Sequence, residues 1–211
     1  NQRAIVVHGD YDADGVCATA ILWEAIYYGL SYKNVYPFIP NRFDHGYGLS
    51  PESLSEIKKE HPGALIISVD CGITSVKEVA QAKADGFSVI VTDHHTVGKE
   101  KPEADAVLWT DQLSGAGIAW VLSQILVKGG QKNQGLDLVA LATIADIQPL
   151  TGYNRVLVRK GLLELNNTSR VGLKQLIKVS RIKSKNITPF EVGWVLAPRI
   201  NASGRLKDAK E

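Results

Sequence analysis

Methionine is absent from these 211 residues, an absence with no physical account. Cysteine is nearly absent too: Cys17 and Cys71 stand alone. Two thiols exclude a disulfide framework, and without C-x-x-C spacing they do not read as a zinc site; a reducing compartment fits that usage. No apolar run approaches the roughly 20 residues needed to span a bilayer. The opening NQRAIVVHGD also lacks the charged-then-apolar pattern of a signal peptide. The chain is therefore expected to be soluble and cytoplasmic, with no membrane partner. Internal repeats and low-complexity tracts are missing as well. With 45% apolar and 22% charged residues, the composition is that of a protein that folds by burying a core.

The net charge of +2 conceals an asymmetry. Residues 1–149 carry 11 Lys+Arg against 18 Asp+Glu, a balance of −7, and residues 150–211 carry 13 against 4, a balance of +9. Metal sites need clustered carboxylates, and phosphate backbones attract Lys and Arg, so the division suits a metal-dependent enzyme with a polyanionic substrate. A solvated basic helix surface would give the same balance in the second half.

Short β-branched runs recur at Ala4–Val7, Val35–Ile39, Ala64–Val69, Ser88–Val91 and Ala106–Leu108, and read as strands buried on both faces. Amphipathic stretches at Val16–Tyr28, Pro51–Glu60 and Ser75–Ala84 lie between them, each long enough for one crossover helix. Alternation of this kind predicts an α/β fold, a parallel sheet flanked by helices. From Gly115 onward the pattern turns helical, through Gly115–Leu126, Leu136–Ile144, Asn154–Leu165, Gly172–Val179 and Thr188–Leu196. The expected organisation is an α/β core over 1–128 and a mainly helical, basic part over 129–211, joined at the polar GGQKNQG (Gly129–Gly135). The closing KDAKE offers no clear stop, so a longer natural chain is expected.

Three predicted strands run directly into residues that bind hard cations: His8, Asp10, Asp12 and Asp14 after the first, Asp70 and Cys71 after the third, Asp93, His94 and His95 after the fourth. In a parallel sheet the carboxyl ends share one edge, where ligands bind, so residues far apart in sequence converge. Asp146, in LATIADIQPL, is placed to complete the set from a helix. Carboxylates with a few imidazoles suit Mn²⁺ first and Mg²⁺ second. A shared aspartate bridging two ions about 3.5–4 Å apart is the usual device of phosphoester cleavage, and Asp70 is the natural bridge. Taken singly, each of these residues also fits a plainer role: an aspartate after a strand is commonly a helix cap or turn former, Cys71 a small buried residue, and Asp10 a cap or a partner to a ligand. Together, the shared sheet edge favours the metal site.

The segments HGDYDADG, VDCG, VTDHH and LATIADIQPL, in that order, resemble the four metal-site motifs of the DHH phosphoesterase superfamily, over most of the chain. Within it, GDYDADG, FIPNRFDHGYGLS (Phe38–Ser50), SGAGIAW (Ser114–Trp120) and LAPRINASGRL (Leu196–Leu206) are similar to the RecJ family of single-stranded-DNA-specific exonucleases. The resemblance implies that His8 and Asp12 hold one ion, that Asp14, His94 and Asp146 hold the other, that Asp70 bridges them, and that His95 faces the scissile phosphate. Asp70, His94 and His95 are then the catalytic set. It further implies phosphate contacts from Arg199, Asn201 and Arg205, guanidinium forks being suited to phosphate, and places Asn41, Arg42 and Tyr47 in a loop at the same sheet edge, to contact the strand or to order the loop. Helix capping or pairing with carboxylates is the plainer role for those arginines. The implied activity is 5′ to 3′ digestion of single-stranded DNA in repair and recombination, with a helicase or single-strand-binding protein as the expected class of protein partner. Two departures bear on activity. AVLWTDQLS (Ala106–Ser114) is shorter than the family's loop, and the companion domain that normally closes the cleft lies outside this sequence. Other DHH enzymes that cleave short oligonucleotides, nucleoside bisphosphates, cyclic dinucleotides or pyrophosphate would share the metal residues, and a non-catalytic DNA-binding scaffold would be marked by their loss; all are present here.

Overall fold

The computed structural model describes residues 3–127 and 134–206, with side chains as far as Gly204. Its first half alternates β1 (Ile5–His8), α1 (Ala13–Glu24), β2 (Val35–Phe38), α2 (Pro51–Glu60), β3 (Leu65–Val69), α3 (Val76–Ala84), β4 (Ser88–Asp93) and β5 (Ala106–Trp109). Helices follow: α4 (Gly115–Leu126), α5 (Leu136–Ala145), α6 (Gly152–Asn166) and α7 (Val171–Val179). A bent run then leads from α8 (Pro189–Glu191) through a π-helical turn (Val192–Leu196) into α9 (Ala197–Leu206). The α/β class and the helical second half are as the sequence pattern predicts. Most of the GGQKNQG segment lies outside the described residues; its last residue, Gly135, opens α5 with a φ of 90°, which glycine adopts without penalty.

The sheet has the order β2-β1-β3-β4-β5, and every pairing is parallel. Burial on both faces holds for the inner strands. It fails at the edges, where Tyr36 and Pro37 of β2 and Ala106–Leu108 of β5 are exposed. Pro37 has no N–H to give a ladder, and an edge strand tolerates that. Buried side chains form two clusters, one on each face. Val6, Ile66, Val89 and Val91 pack with Leu54 and Ile57 of α2 and Val79 of α3. Val7, Ile67 and Val69 pack with Ala18 and Leu22 of α1, Ala116 of α4, Leu141 of α5, Leu165 of α6 and Leu196. That second cluster runs without interruption from the α/β half into the helical half.

Local signals set the helix ends. Ser50 forms a capping box with Ser53, and Pro51 takes the first helical position of α2, where its missing N–H costs nothing. The first helix begins three residues earlier than its apolar pattern suggests, because Asp12 caps it and accepts from the amides of Asp14 and Gly15 at 2.9 and 3.0 Å. An aspartate after a strand fits a helix cap or a turn; here Asp12 is the cap, and Ala13-Asp14-Gly15 is the first turn of the helix. The last helix runs ten residues past Leu196, its expected end. Pro198 would interrupt a regular helix; the π turn, in which the Ala197 N–H bonds to the Val192 carbonyl, absorbs it.

From β1 the chain passes to β2 on one side and then crosses to β3 on the other. Strand order therefore reverses at β1, and the crevice at its carboxyl end is where an open parallel sheet binds ligands.

Candidate metal centre

That crevice gathers the residues after β1, β3 and β4 and the end of α5. The His94 Nε2 lies 2.9 Å from Asp70 Oδ1, 3.6 Å from Asp14 Oδ2 and 3.8 Å from Asp146 Oδ2. Two groups of ligand atoms lie within 4.8 Å of one another: Asp70 with His94 and His95, and Asp14 with His94 and Asp146. His94 belongs to both.

The backbone places these side chains at some cost. Asp70 has a φ of 61°, a left-handed conformation that a side chain disfavours by roughly 1–2 kcal/mol, and it is held there by close packing. A Cβ at Gly115 would meet the Asp70 Cβ at 2.4 Å and its Oδ1 at 2.5 Å, so only glycine lets α4 approach. The start of α4 also supplies charge. Amides of Gly115 and Ala116 donate to the two oxygens of Asp14 at 2.8 and 2.7 Å, and a helix N-terminus stabilises an anion. The Ser114 cap followed by small residues is the sequence signal for this contact.

Electrostatics point to a missing positive charge. Burial, then the Asp14 carboxylate, holds the Asp70 carboxyl well above its ordinary range. Asp14 is pushed up to about 7 by burial, against the pull of the Ala116 amide, with Asp146 and Asp12 adding repulsion. Asp10 is likewise pushed up to about 7, by burial and then by Asp12. Buried atoms without a hydrogen-bond partner include Asp70 Oδ1, His94 Nε2 and Asp10 Oδ1; the first two face each other at 2.9 Å without bonding. A polar atom left in that state costs about 1–3 kcal/mol. Oxygen and imidazole donors crowded in this way fit a hard divalent cation such as Mn²⁺ or Mg²⁺.

His95 occupies a different position. Its Nδ1 lies 2.8 Å from Asp93 Oδ1, and Asp93 is fixed by the amides of Ile73, His94 and His95. Burial works against the Asp93 charge, but the His95 and amide hydrogen bonds outweigh it and hold the carboxyl below its usual range. The bond to Asp93 in turn lifts His95 above the usual histidine range. Its Nε2 is 3.3 Å from the Tyr47 hydroxyl, which completes a chain from Asp93 through His95 to Tyr47. Sequence reasoning named Asp93 and Tyr47 without giving them this role; the histidine between them was the available signal.

Other expected residues are placed as follows. His8 is fully buried beside the site, stacked on Phe38, with Nε2 3.3 Å from Ser53 Oγ and Nδ1 3.9 Å from Cys71 Sγ. Asp12 caps α1 and lines a cavity of about 40 Å³ with Asp14, Asp146 and Asn201. Neither His8 nor Asp12 falls within the two groups of close ligand atoms. The Asn201 Oδ1 accepts from the Ala13 amide at 2.8 Å, which docks α9 on the start of α1. Arg42 lies over the Tyr11 ring at 5.7 Å. Arg199 donates to the Val195 carbonyl of its own helix. The Arg205 side chain lies outside the described residues. Gln148, absent from the sequence-based set, donates to Asp146 at 2.8 Å and lies 3.3 Å from His94 Nδ1.

Residues 4–143 match the model of the DHH family, N-terminal domain. The chain belongs to the DHH family. Among curated DHH proteins it is 40% identical over 217 residues to the single-stranded-DNA-specific exonuclease RecJ of Bacillus subtilis, covering 99% of this chain and 27% of that protein. It is 41% identical over 224 residues to RecJ of Thermus thermophilus, covering 99% and 32%. The chain thus spans about a third or less of these two relatives. Of solved structures, exonuclease RecJ bound to manganese superposes with a TM-score of 0.86 at 39% identity, over 99% of this chain and 55% of that one. RecJ of Thermus thermophilus in complex with Mn²⁺ gives a TM-score of 0.82 at 38% identity, over 99% and 31%. Among the described residues no helix is long and apolar enough to cross a membrane.

Proposed function

We propose that this chain is the catalytic DHH domain of a metal-dependent phosphodiesterase that removes nucleotides from single-stranded DNA, 5′ to 3′, in repair and recombination. The carrying observation is the meeting of Asp14, Asp70, His94 and Asp146, from three strand ends and a helix end, around orphaned donor atoms at the β1 switch point. The similarity to RecJ exonucleases along 99% of the chain supports the choice of substrate, and the manganese- and magnesium-bound relatives support Mn²⁺ or Mg²⁺ as the metal; two ions per site are part of the proposal.

In this reading Asp14, His94 and Asp146 would hold one ion and His8 and Asp12 the other, with Asp70 shared between them. Bound there, the ions supply Lewis-acid neutralisation of phosphoryl charge and acidify the attacking water. The chain's own residues do the rest. The α4 amides keep Asp14 aimed and favour its charged form against burial. Asp93 fixes the His95 ring so that Nε2 faces outward, in reach of a phosphate oxygen once Tyr47 yields. Arg42, Arg199, Asn201 and Arg205 border the path of the strand. We assign 1–128 to the metal-binding core and 129–211 to a basic part that follows the DNA, with a companion domain in the longer protein and a helicase or single-strand-binding protein beside it.

The test is hydrolysis of 5′-labelled and 3′-labelled single-stranded DNA by this chain and by a longer one, with Mn²⁺, Mg²⁺ or chelator. Manganese-dependent release of mononucleotides from the 5′ end is the expected result. Inactivity of both chains while DNA stays bound would replace the enzyme with a scaffold.

A further inference from the structure

The longest stretch of uncompensated charge lies away from the acidic cluster. Between positions 170 and 199 seven basic residues stand against a single acid, Glu191. Arg170 is used internally, forking onto Glu24 and Asp137. Lys174, Lys178, Arg181, Lys183 and Lys185 are exposed, and none has an ion-pair partner among the described residues. Glu191 cannot offset them across the surface, because its carboxylate is turned into the cap of α8, accepting from the amide and hydroxyl of Thr188 at 2.8 and 2.5 Å. The Ser184 side chain reaches the same carboxylate, which lays the Lys183–Lys185 turn against the first turn of that helix.

Two aromatic rings face solvent directly beside this turn. Phe190 is 64% exposed and Trp194 75%. They lie one helical turn apart, with centroids separated by 6.4 Å and planes tilted by 34°. Of the tryptophans, Trp23, Trp109 and Trp120 are each half-buried, so Trp194 is the exposed one. From Trp194 the helix runs seven residues, about 10 Å at 1.5 Å per residue, to Asn201 at the rim of the acidic cavity. The core of a protein-binding patch is depleted of charge; paired rings beside unpaired lysines instead fit a polyanion that carries flat faces of its own.

We propose that Phe190 and Trp194, with Lys183 and Lys185 beside them, form a stacking platform for the bases of single-stranded nucleic acid, from which the strand leads along the last helix to the acidic cluster. The proposal rests on the phosphodiesterase reading and adds a second point of contact to it. Base–aromatic stacking is tolerant of sequence, so the platform holds any strand and rejects a duplex, whose bases are already stacked.

The test is binding of an oligo-dT strand and of a duplex of equal length to this chain in chelator, followed by tryptophan emission and by anisotropy of labelled DNA. The strand is expected to quench tryptophan emission. Trp194→Ala should weaken its binding about tenfold, with unchanged melting because the side chain is exposed, and Trp194→Phe should restore most of the loss. Lys183→Ala with Lys185→Ala should reduce the slope of log affinity against log salt by about 1.4, at roughly 0.7 per phosphate contact. Wild-type affinity in Trp194→Ala, or DNA binding without quenching, overturns the platform while leaving manganese-dependent cleavage as separate support for the phosphodiesterase. Absence of both DNA binding and cleavage in the wild type overturns the two together.

Discussion

Removing metal from this chain should reverse the usual dependence of stability on pH. Asp10 and Asp14 are each held up to about 7 in the folded state, first by burial, from an ordinary value of 3.8. An acid whose folded pKa is raised keeps its proton longer in the folded chain than in the unfolded one, so the folded state loses ground as pH rises from about 4 to about 7. For Asp10 alone the interval from pH 5 to pH 7 amounts to about 2 kcal/mol, at roughly 1.4 kcal/mol per unit while the folded group stays protonated and less as it titrates near pH 7. Asp14 moves in the same direction within the same field, so the two are not additive. The histidines act in opposite directions: burial holds His94 below its usual range and the Asp93 bond holds His95 above it. Against a domain stability of about 5–15 kcal/mol, a loss of this size is readily measured.

Denaturant unfolding of the chelated chain at pH 5 and pH 7 provides the measurement. We expect lower stability at pH 7 by about 2 kcal/mol or more. Saturating Mn²⁺ should abolish the loss, because the ion takes the place of the protons and binds the folded state alone, adding about 2.7 kcal/mol at a hundredfold excess over Kd. A chelated chain as stable at pH 7 as at pH 5 would falsify the crowding of carboxylates on which the metal assignment depends.

Three substitutions probe the same site. Asp70→Asn should leave the circular dichroism spectrum intact and lower manganese-dependent cleavage by more than the roughly 10–100-fold that follows loss of an outer partner of a metal ligand; near-native turnover would remove Asp70 from the centre. Gly115→Ala puts a methyl 2.4 Å from the Asp70 Cβ, and should cost about 1–3 kcal/mol of stability together with activity, whereas an unchanged denaturation midpoint would show that α4 can withdraw freely. Ile147, which follows Asp146, has a φ of 58° and is 88% exposed. Ile147→Gly should therefore stabilise the chain by about 0.5–1 kcal/mol, relief of left-handed strain less the added freedom of the unfolded chain; destabilisation would mean that the isoleucine makes a contact worth more than its strain.

How much of this was legible in the sequence depends on the range over which each feature is decided. The inner strands were legible because β1, β3 and β4 each hold a short, mostly apolar and β-branched run, and Ser50-Pro51 and Ser114 mark helix starts by chemistry local to the chain. The exposure of β2 and β5 was not, since whether a strand lies at an edge depends on which other strands pair with it. Asp12 and Asp14 show the same division within one motif: sequence gives two acids two residues apart, but only the approach of the α4 amides makes Asp14 the one turned into the cluster while Asp12 caps the helix. The route of the last helix is a third case, for Pro198 ends a regular helix by every local rule and is accommodated by a π turn packed on α5. That accommodation has a functional consequence. A helix ending at Leu196 would leave Asn201 free of α1, whereas the continued helix sets Asn201 against Ala13, at the rim of the acidic cavity, and adds a direct contact between the basic half of the chain and the metal-binding half.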